Sequence, residues 1–97
     1  MLKVEWTDQA LEKMEEIADY ISTDSPKAAA KWISSVFGKE IMIQSNPNIG
    51  REVPEYKNSL VREVFEGRYR IIYRIEKKKI SVITVKNFKE QMKSTIA

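Results

Sequence analysis

The sequence predicts an α+β fold in the order β-α-α-β-β-β, a helix hairpin packed on one face of a largely antiparallel four-stranded sheet. Three observations carry this expectation. Apolar residues recur at spacings of three and four through the first half of the chain, and they alternate with polar ones from Leu60 onward. The gaps between the last three strands are too short for a parallel crossover, so those strands must form hairpins.

The elements follow in order. Leu2, Val4 and Trp6 alternate with Lys3 and Glu5, which is the period of a short half-buried strand. Thr7-Asp8 supplies an N-cap and a first-turn acid, and Ala10, Leu11, Met14, Ile17, Ala18 and Ile21 form one stripe, so a first helix is predicted over Asp8 to Ser22. Glu12, Glu15, Glu16 and Asp19 lie on its other face and read as a solvated surface. Thr23-Asp24-Ser25-Pro26 ends that helix and starts the next, because Ser25 can cap and a proline fits the first helical position, where no N–H is needed. Ala29, Ile33, Val36, Phe37 and Ile41, widened by Trp32 and Met42, carry the second helix to about Ser45. Gly38 sits inside this pattern at a cost of ~1 kcal/mol in helix propensity, which predicts close packing there. Asn46-Pro47-Asn48-Ile49-Gly50 and Pro54 make the chain irregular to about Ser59. Strands are then expected over Leu60 to Glu66, Arg68 to Glu76 and Lys79 to Lys86, with turns at Gly67 and Lys77-Lys78. The segment from Asn87 to Ala97 fits a tail or a short helix.

Ninety-seven residues, 42% hydrophobic and 32% charged, suit one core, and a single domain over residues 1–97 is expected. No stretch approaches the ~18 apolar residues of a membrane span and the start lacks the apolar run of a signal peptide, so a cytoplasmic protein without membrane contact is expected. The absence of cysteine and histidine excludes disulfides, thiolate nucleophiles, imidazole bases and zinc fingers, and no metal or cofactor is expected. Residues 1–49 carry five lysines against eight acids, whereas residues 50–97 carry 12 basic and six acidic residues, an asymmetry that suits an anionic partner.

In the central strand of the final three, Tyr69, Ile71, Tyr73 and Ile75 alternate with Arg68, Arg70, Ile72 and Arg74. Burying three unpaired guanidinium groups would cost several kcal/mol each, so the arginine side is expected to be the open face. Trp32, Ile33, Val36 and Phe37 should then pack on Tyr69, Ile71, Tyr73 and Ile75. Arg62, Arg68, Arg70 and Arg74, with Lys77, Lys78, Lys79 and Lys86 at turns and strand ends, form a candidate anion- or target-binding surface, since the guanidinium fork grips phosphate or carboxylate with two hydrogen bonds. The plainer reading of the same residues is the polar outer face that any antiparallel sheet needs. Alternation sets Glu63 on the face opposite Arg62, turned away from the arginines.

Val4-Glu5-Trp6-Thr7, Ile17-Ala18-Asp19-Tyr20-Ile21, Ser25-Pro26-Lys27-Ala28-Ala29, Gly50-Arg51-Glu52-Val53-Pro54-Glu55, Val61-Arg62-Glu63 and Gly67-Arg68-Tyr69-Arg70-Ile71-Ile72-Tyr73 follow one another in an order that resembles the RelE/ParE toxin superfamily over about residues 3–86. The resemblance implies the toxin of a type II toxin-antitoxin system, of the kind linked to growth inhibition and plasmid stabilisation. It also implies a hetero-oligomer with a cognate antitoxin, whose disordered C-terminal segment folds around the toxin. RelE-like members cut messenger RNA on the ribosome; ParE-like members poison DNA gyrase and have no established catalytic residues. Under the nuclease alternative Arg70, Arg62, Glu63 and Lys86 are the candidate catalytic residues. The chain lacks histidine, has no tyrosine after Tyr73 and exits its last strand through Val85-Lys86-Asn87-Phe88. Cleavage through a 2′-hydroxyl needs a proton acceptor and a donor for the leaving oxygen as well as cations. These departures, with the Gly50 to Glu55 segment and the Arg62-Glu63 pair, place the sequence nearer the ParE-like branch. A non-toxic antitoxin- or nucleic-acid-binding module is a further alternative.

Overall fold

Two capping side chains start the helical layer. Thr7 Oγ1 accepts the Ala10 N–H at 3.2 Å and opens α1 (Asp8–Ser22), and Ser25 Oγ accepts the Ala28 N–H at 3.1 Å and opens α2 (Pro26–Ser45) with Pro26 at its first position. In the computed structural model, which describes residues 2–88, both helices have the boundaries that their caps and apolar stripes predict. They follow β1 (Lys3–Trp6) and pack on one face of a five-stranded sheet completed by β2 (Arg51–Glu52), β3 (Val61–Glu66), β4 (Tyr69–Ile75) and β5 (Lys79–Asn87). The strand order is β1-β5-β4-β3-β2; β1 runs parallel to β5 and every other pair is antiparallel. A 3-10 turn over Pro47–Ile49 links α2 to β2.

Four sequence expectations change. The sheet has five strands, because Arg51 and Glu52 pair with Glu63 and Arg62 inside the stretch expected to be irregular. Gly38 marks no close contact, since a Cβ built there meets nothing within 4 Å. Phe37 does not reach the central strand; it is 40% exposed and meets Trp6 edge-on, with ring centroids 5.0 Å apart. Ile41 is 71% exposed, and Ile43, which the predicted stripe omitted, fills the core in its place. Met42, expected to widen the stripe, is likewise 40% exposed, whereas Val36 is fully buried and Trp32 meets Tyr69 edge-on with ring centroids 5.1 Å apart, as the periodicity requires. Asn87 closes β5, while residues 89–97 of the expected tail or short helix lie outside the described residues.

The main core lies between helices and sheet, with Ala10, Met14, Val36, Ile43, Val64, Ile71, Tyr73, Ile80, Val82 and Val85 at its centre. A second, smaller core sits on the opposite face, where Val53, Val61 and Ile72 are buried together and Tyr56 and Ile83 pack against them. A register shift in β5 makes this possible. Ile72 pairs with Thr84 but Tyr73 pairs with Val82, so Ile83 is the extra residue of a β-bulge. The bulge keeps Val82 on the helix side and turns Ile83 to the other. Among the described residues no helix is long and apolar enough to cross a membrane.

Three substitutions test this packing. Gly38→Ala should raise stability by roughly 0.5–1 kcal/mol, because the helix gains propensity and the methyl group enters open space. Ile43→Ala should cost about 2–5 kcal/mol, whereas Phe37→Ala should cost only about 1–2. Urea denaturation of the three variants checks both the signs and the order.

Candidate functional site

The turn between β3 and β4 decides which charged side chains meet. Gly67 at φ +58° leads a two-residue turn, a conformation that favours glycine, and the pairing that follows sets odd-numbered residues of β3 beside even-numbered residues of β4. Glu63 is paired with Ile72 and Phe65 with Arg70, so Glu63, Phe65, Arg70 and Arg74 all project from the face away from the helices. Arg62 is paired with Tyr73 and lies on the other face. This corrects two sequence expectations: Glu63 shares the face of Arg70 instead of turning away from it, and Arg62 is separated from Arg70.

Arg70 is also not open to solvent. Its side chain is 5% exposed and lies between two carboxylates. Nε donates to Glu63 Oε1 at 2.6 Å, and Nη1 and Nη2 donate to Glu55 Oε2 and Oε1, each at 2.9 Å. The Glu55 contact is the two-pronged arrangement to which the guanidinium fork is suited. Glu63, whose side chain is 0% exposed, gives its other oxygen to Arg51 Nε at 2.6 Å. The result is a chain of alternating charge, Arg51–Glu63–Arg70–Glu55. Hydrogen bonding to Glu55, reinforced by Glu63, raises the Arg70 pKa above its ordinary value despite the opposing effect of burial, so the group stays charged.

Glu55 comes from a strap, residues 53–59, that folds back over the open face. Val53 anchors it in the second core, and the Tyr56 N–H donates to the Val53 carbonyl at 3.1 Å. Lys57 takes a positive φ of 49°, uncommon for a side-chain-bearing residue, and Asn58 closes the strap by accepting the Leu60 N–H on its side chain and the Val61 N–H on its carbonyl. Arg62 secures the same loop from the other face, with Nη1 donating to the Gly50 carbonyl at 2.8 Å and Nε to the Ser59 carbonyl at 3.0 Å. Gly50 is required here: a Cβ would lie 2.6 Å from both the Glu63 carbonyl oxygen and Tyr73 Oη. The buried Tyr73 hydroxyl accepts the Gly50 N–H at 3.0 Å and donates to the Pro47 carbonyl at 2.6 Å. Burial is the main cause that raises its pKa, opposed by the Gly50 N–H and the Arg62 charge, so the phenol stays protonated as donor.

The remaining candidates are spread out. Arg68 is exposed in the β3–β4 turn, and its carbonyl accepts the Phe88 N–H. Lys86 lies opposite Arg70 in register on β5 and is half-buried. Arg74 is exposed on β4 beside Ser81, near the far end of the face. Sequence reasoning missed Arg51, Glu55 and the two aromatic rings of this face, Phe65 and Phe88, whose centroids are 5.6 Å apart; Arg51 lies over the Phe65 ring at 5.1 Å. The available signal was Ile72 among the arginines of β4 with Val61 on the neighbouring strand, an apolar pair that needed a cover. Among the described residues no group of three or more acidic side chains is arranged to hold a metal ion.

The family model for the ParE toxin of type II toxin-antitoxin system, parDE, matches residues 4–92. No curated protein matches. Among solved structures, one titled chromosomal ParDE TA system from P. aeruginosa superposes with a TM-score of 0.73, at 21% identity, covering 90% of this chain and 96% of that one. At that identity the likeness speaks for the fold.

If Arg70 holds the strap down, Arg70→Ala should cost about 3–5 kcal/mol, because it strands two carboxylates behind the loop. Arg74→Ala, at an exposed position, should stay within about 0.5 kcal/mol. Gly50→Ala should cost on the order of 1–3 kcal/mol through the forced separation of β2 from Tyr73. Chemical denaturation of the three variants checks the ranking, and an Arg70→Ala protein as stable as wild type would show that the strap is held by other contacts.

Proposed function

Because the chain belongs to the ParE toxin family of type II toxin-antitoxin systems, we propose that it is a non-catalytic toxin that inhibits DNA gyrase in the cytoplasm. In this reading residues 1–97 act as one toxin domain, held in a hetero-oligomer by a cognate antitoxin that neutralises it. The observation that supports a non-catalytic mode is the enclosure of Glu63 and Arg70. A ribonuclease acting through a 2′-hydroxyl needs a base that reaches the hydroxyl and cations that reach the phosphate. Glu63 is the carboxylate nearest the candidate cation, yet its side chain is 0% exposed and a guanidinium donates to each of its oxygens. Arg70, the natural phosphate grip, spends its fork on Glu55. Lys86 stands beside it in register and adds a cation, not a base.

The same enclosure changes how mutants must be read. Loss of toxicity in Arg70→Ala does not identify a catalytic residue, since that variant is expected to lose its strap as well.

The expected outcome of the direct test is that purified, antitoxin-free protein inhibits gyrase supercoiling or traps cleaved DNA while leaving ribosome-bound messenger RNA intact. Expression alone should arrest growth, and co-expression of the antitoxin should restore it. Codon-positioned cuts in messenger RNA, with supercoiling unaffected, would assign the chain to the ribosome-dependent nucleases instead. Normal growth at confirmed soluble expression, with neither target affected, would point to a non-toxic binding module.

A further inference from the structure

We propose that the exposed aromatic end of the open sheet face, Phe65 and Phe88 flanked by Arg51 and Arg68, is the surface that docks on gyrase, and that it takes a protein segment presenting an apolar side chain beside a carboxylate. This rests on the gyrase reading and adds the contact surface to it.

The first ground is unexplained apolar exposure in a rigid setting. Phe65 is 36% exposed and Phe88 is 56% exposed, and the two rings touch each other in a tilted arrangement instead of packing into either core. Phe65 stands on β3 opposite Arg70 in register, and Phe88, which follows β5 directly, is tied by its main-chain N–H to the Arg68 carbonyl. The backbone that carries each ring is thus held by the sheet, which limits the entropy lost on binding. Exposed aromatic residues joined to arginines are the composition that carries most of the energy of protein interfaces.

The second ground is charge. Among the described residues, the two acids beside Arg70 on this face are both turned inward on it, with side chains 0% and 17% exposed for Glu63 and Glu55. Among the described residues, the charged groups presented outward around the rings are cationic. Arg51 keeps 56% of its side chain exposed while its Nε holds Glu63, and Arg68 is exposed in the adjoining turn. A surface with apolar rings at its centre and guanidinium groups at its rim matches an apolar residue with carboxylates next to it. Single-stranded nucleic acid fits less well. Bases stack on open ring faces, and here Arg51 lies over one face of Phe65 while Phe88 is tilted by 52° against that ring.

The experiment uses the full-length toxin and variants Phe88→Ser, Arg68→Glu and Lys31→Glu, the last an equal charge reversal at an exposed position on α2. Binding to immobilised gyrase holoenzyme, inhibition of supercoiling, antitoxin binding and the thermal melt are measured on the same preparations. We expect Phe88→Ser and Arg68→Glu each to weaken gyrase binding about tenfold or more, with matching loss of inhibition. Lys31→Glu should bind as wild type, and antitoxin binding should persist in all three. Should Phe88→Ser melt early, Arg68→Glu still decides, because its side chain is exposed and forms no ion pair among the described residues. Wild-type inhibition unchanged in both patch variants would overturn this surface and leave the gyrase function standing. Variants that lose the antitoxin but keep gyrase, or that lose only a short fluorescent oligonucleotide, would assign the patch to those partners and overturn it too. A wild-type protein that neither binds nor inhibits gyrase would remove the function and the surface together.

Discussion

The burial of one guanidinium organises half of this molecule. Arg70 stands in the middle of the sheet, on the face the helices do not cover, and a cation there is costly unless carboxylates meet it with good geometry. Glu63 meets it from the neighbouring strand, but the second carboxylate, Glu55, is available only if the chain between β2 and β3 folds back over the sheet. That return explains much else on this side. It brings Val53 and Tyr56 onto Ile72 and Val61, so an ion pair and a small apolar core hold the same strap. It draws Gly50 so close to Glu63 and Tyr73 that no side chain fits there. It also accommodates Lys57 in a backbone region that a residue with a side chain rarely adopts, a cost of order 1 kcal/mol that the contacts on either side offset.

The helical half was legible because its signals are local. Thr7, Ser25 and Pro26 start the helices by satisfying or lacking particular N–H groups, and these effects hold whatever packs nearby. The direction of the α2 stripe was less legible. Phe37, Ile41 and Ile43 are all apolar, so helical period alone cannot decide which of them the sheet buries, and here it takes Ile43 and leaves Ile41 outside. Gly38 misled for a related reason: glycine in a helix signals either close approach or nothing, and the neighbouring elements decide which.

The open face was legible in composition and not in pairing. Alternation alone identified the arginine side of β4, but the assignment of Arg62 to that side neglected the length of the β3–β4 turn. A two-residue turn at Gly67 pairs Arg62 with Tyr73 and Glu63 with Ile72, and this reverses the parts of two candidate residues. Glu63 becomes the partner of Arg70, and Arg62 becomes a fastener of the Gly50–Ser59 loop. Glu55 lay beyond sequence reasoning for a different reason. Its bond to Arg70 joins residues fifteen apart through an irregular loop, and no periodicity records such a contact. The bulge at Ile83 was nearer to hand, because Val82 and Val85, three residues apart, cannot both face the same core in a regular strand.

These placements divide the charged residues of the second half by task. Burial costs remove Arg70, Glu63 and Glu55 from external work, since a group whose hydrogen-bonding capacity is met inside the fold must break those bonds before it can grip a ligand. Arg62 is likewise committed to loop carbonyls. Of the arginines, the fold leaves Arg51, Arg68 and Arg74 facing outward, and two phenylalanine rings meet at one end of the sheet. An excess of basic residues in a sequence therefore says little about where an anionic partner would bind until the internal ion pairs have been subtracted. Here the subtraction moves the binding candidates from the centre of β4, where the arginines are densest in sequence, to the end of the sheet where Phe65 and Phe88 meet.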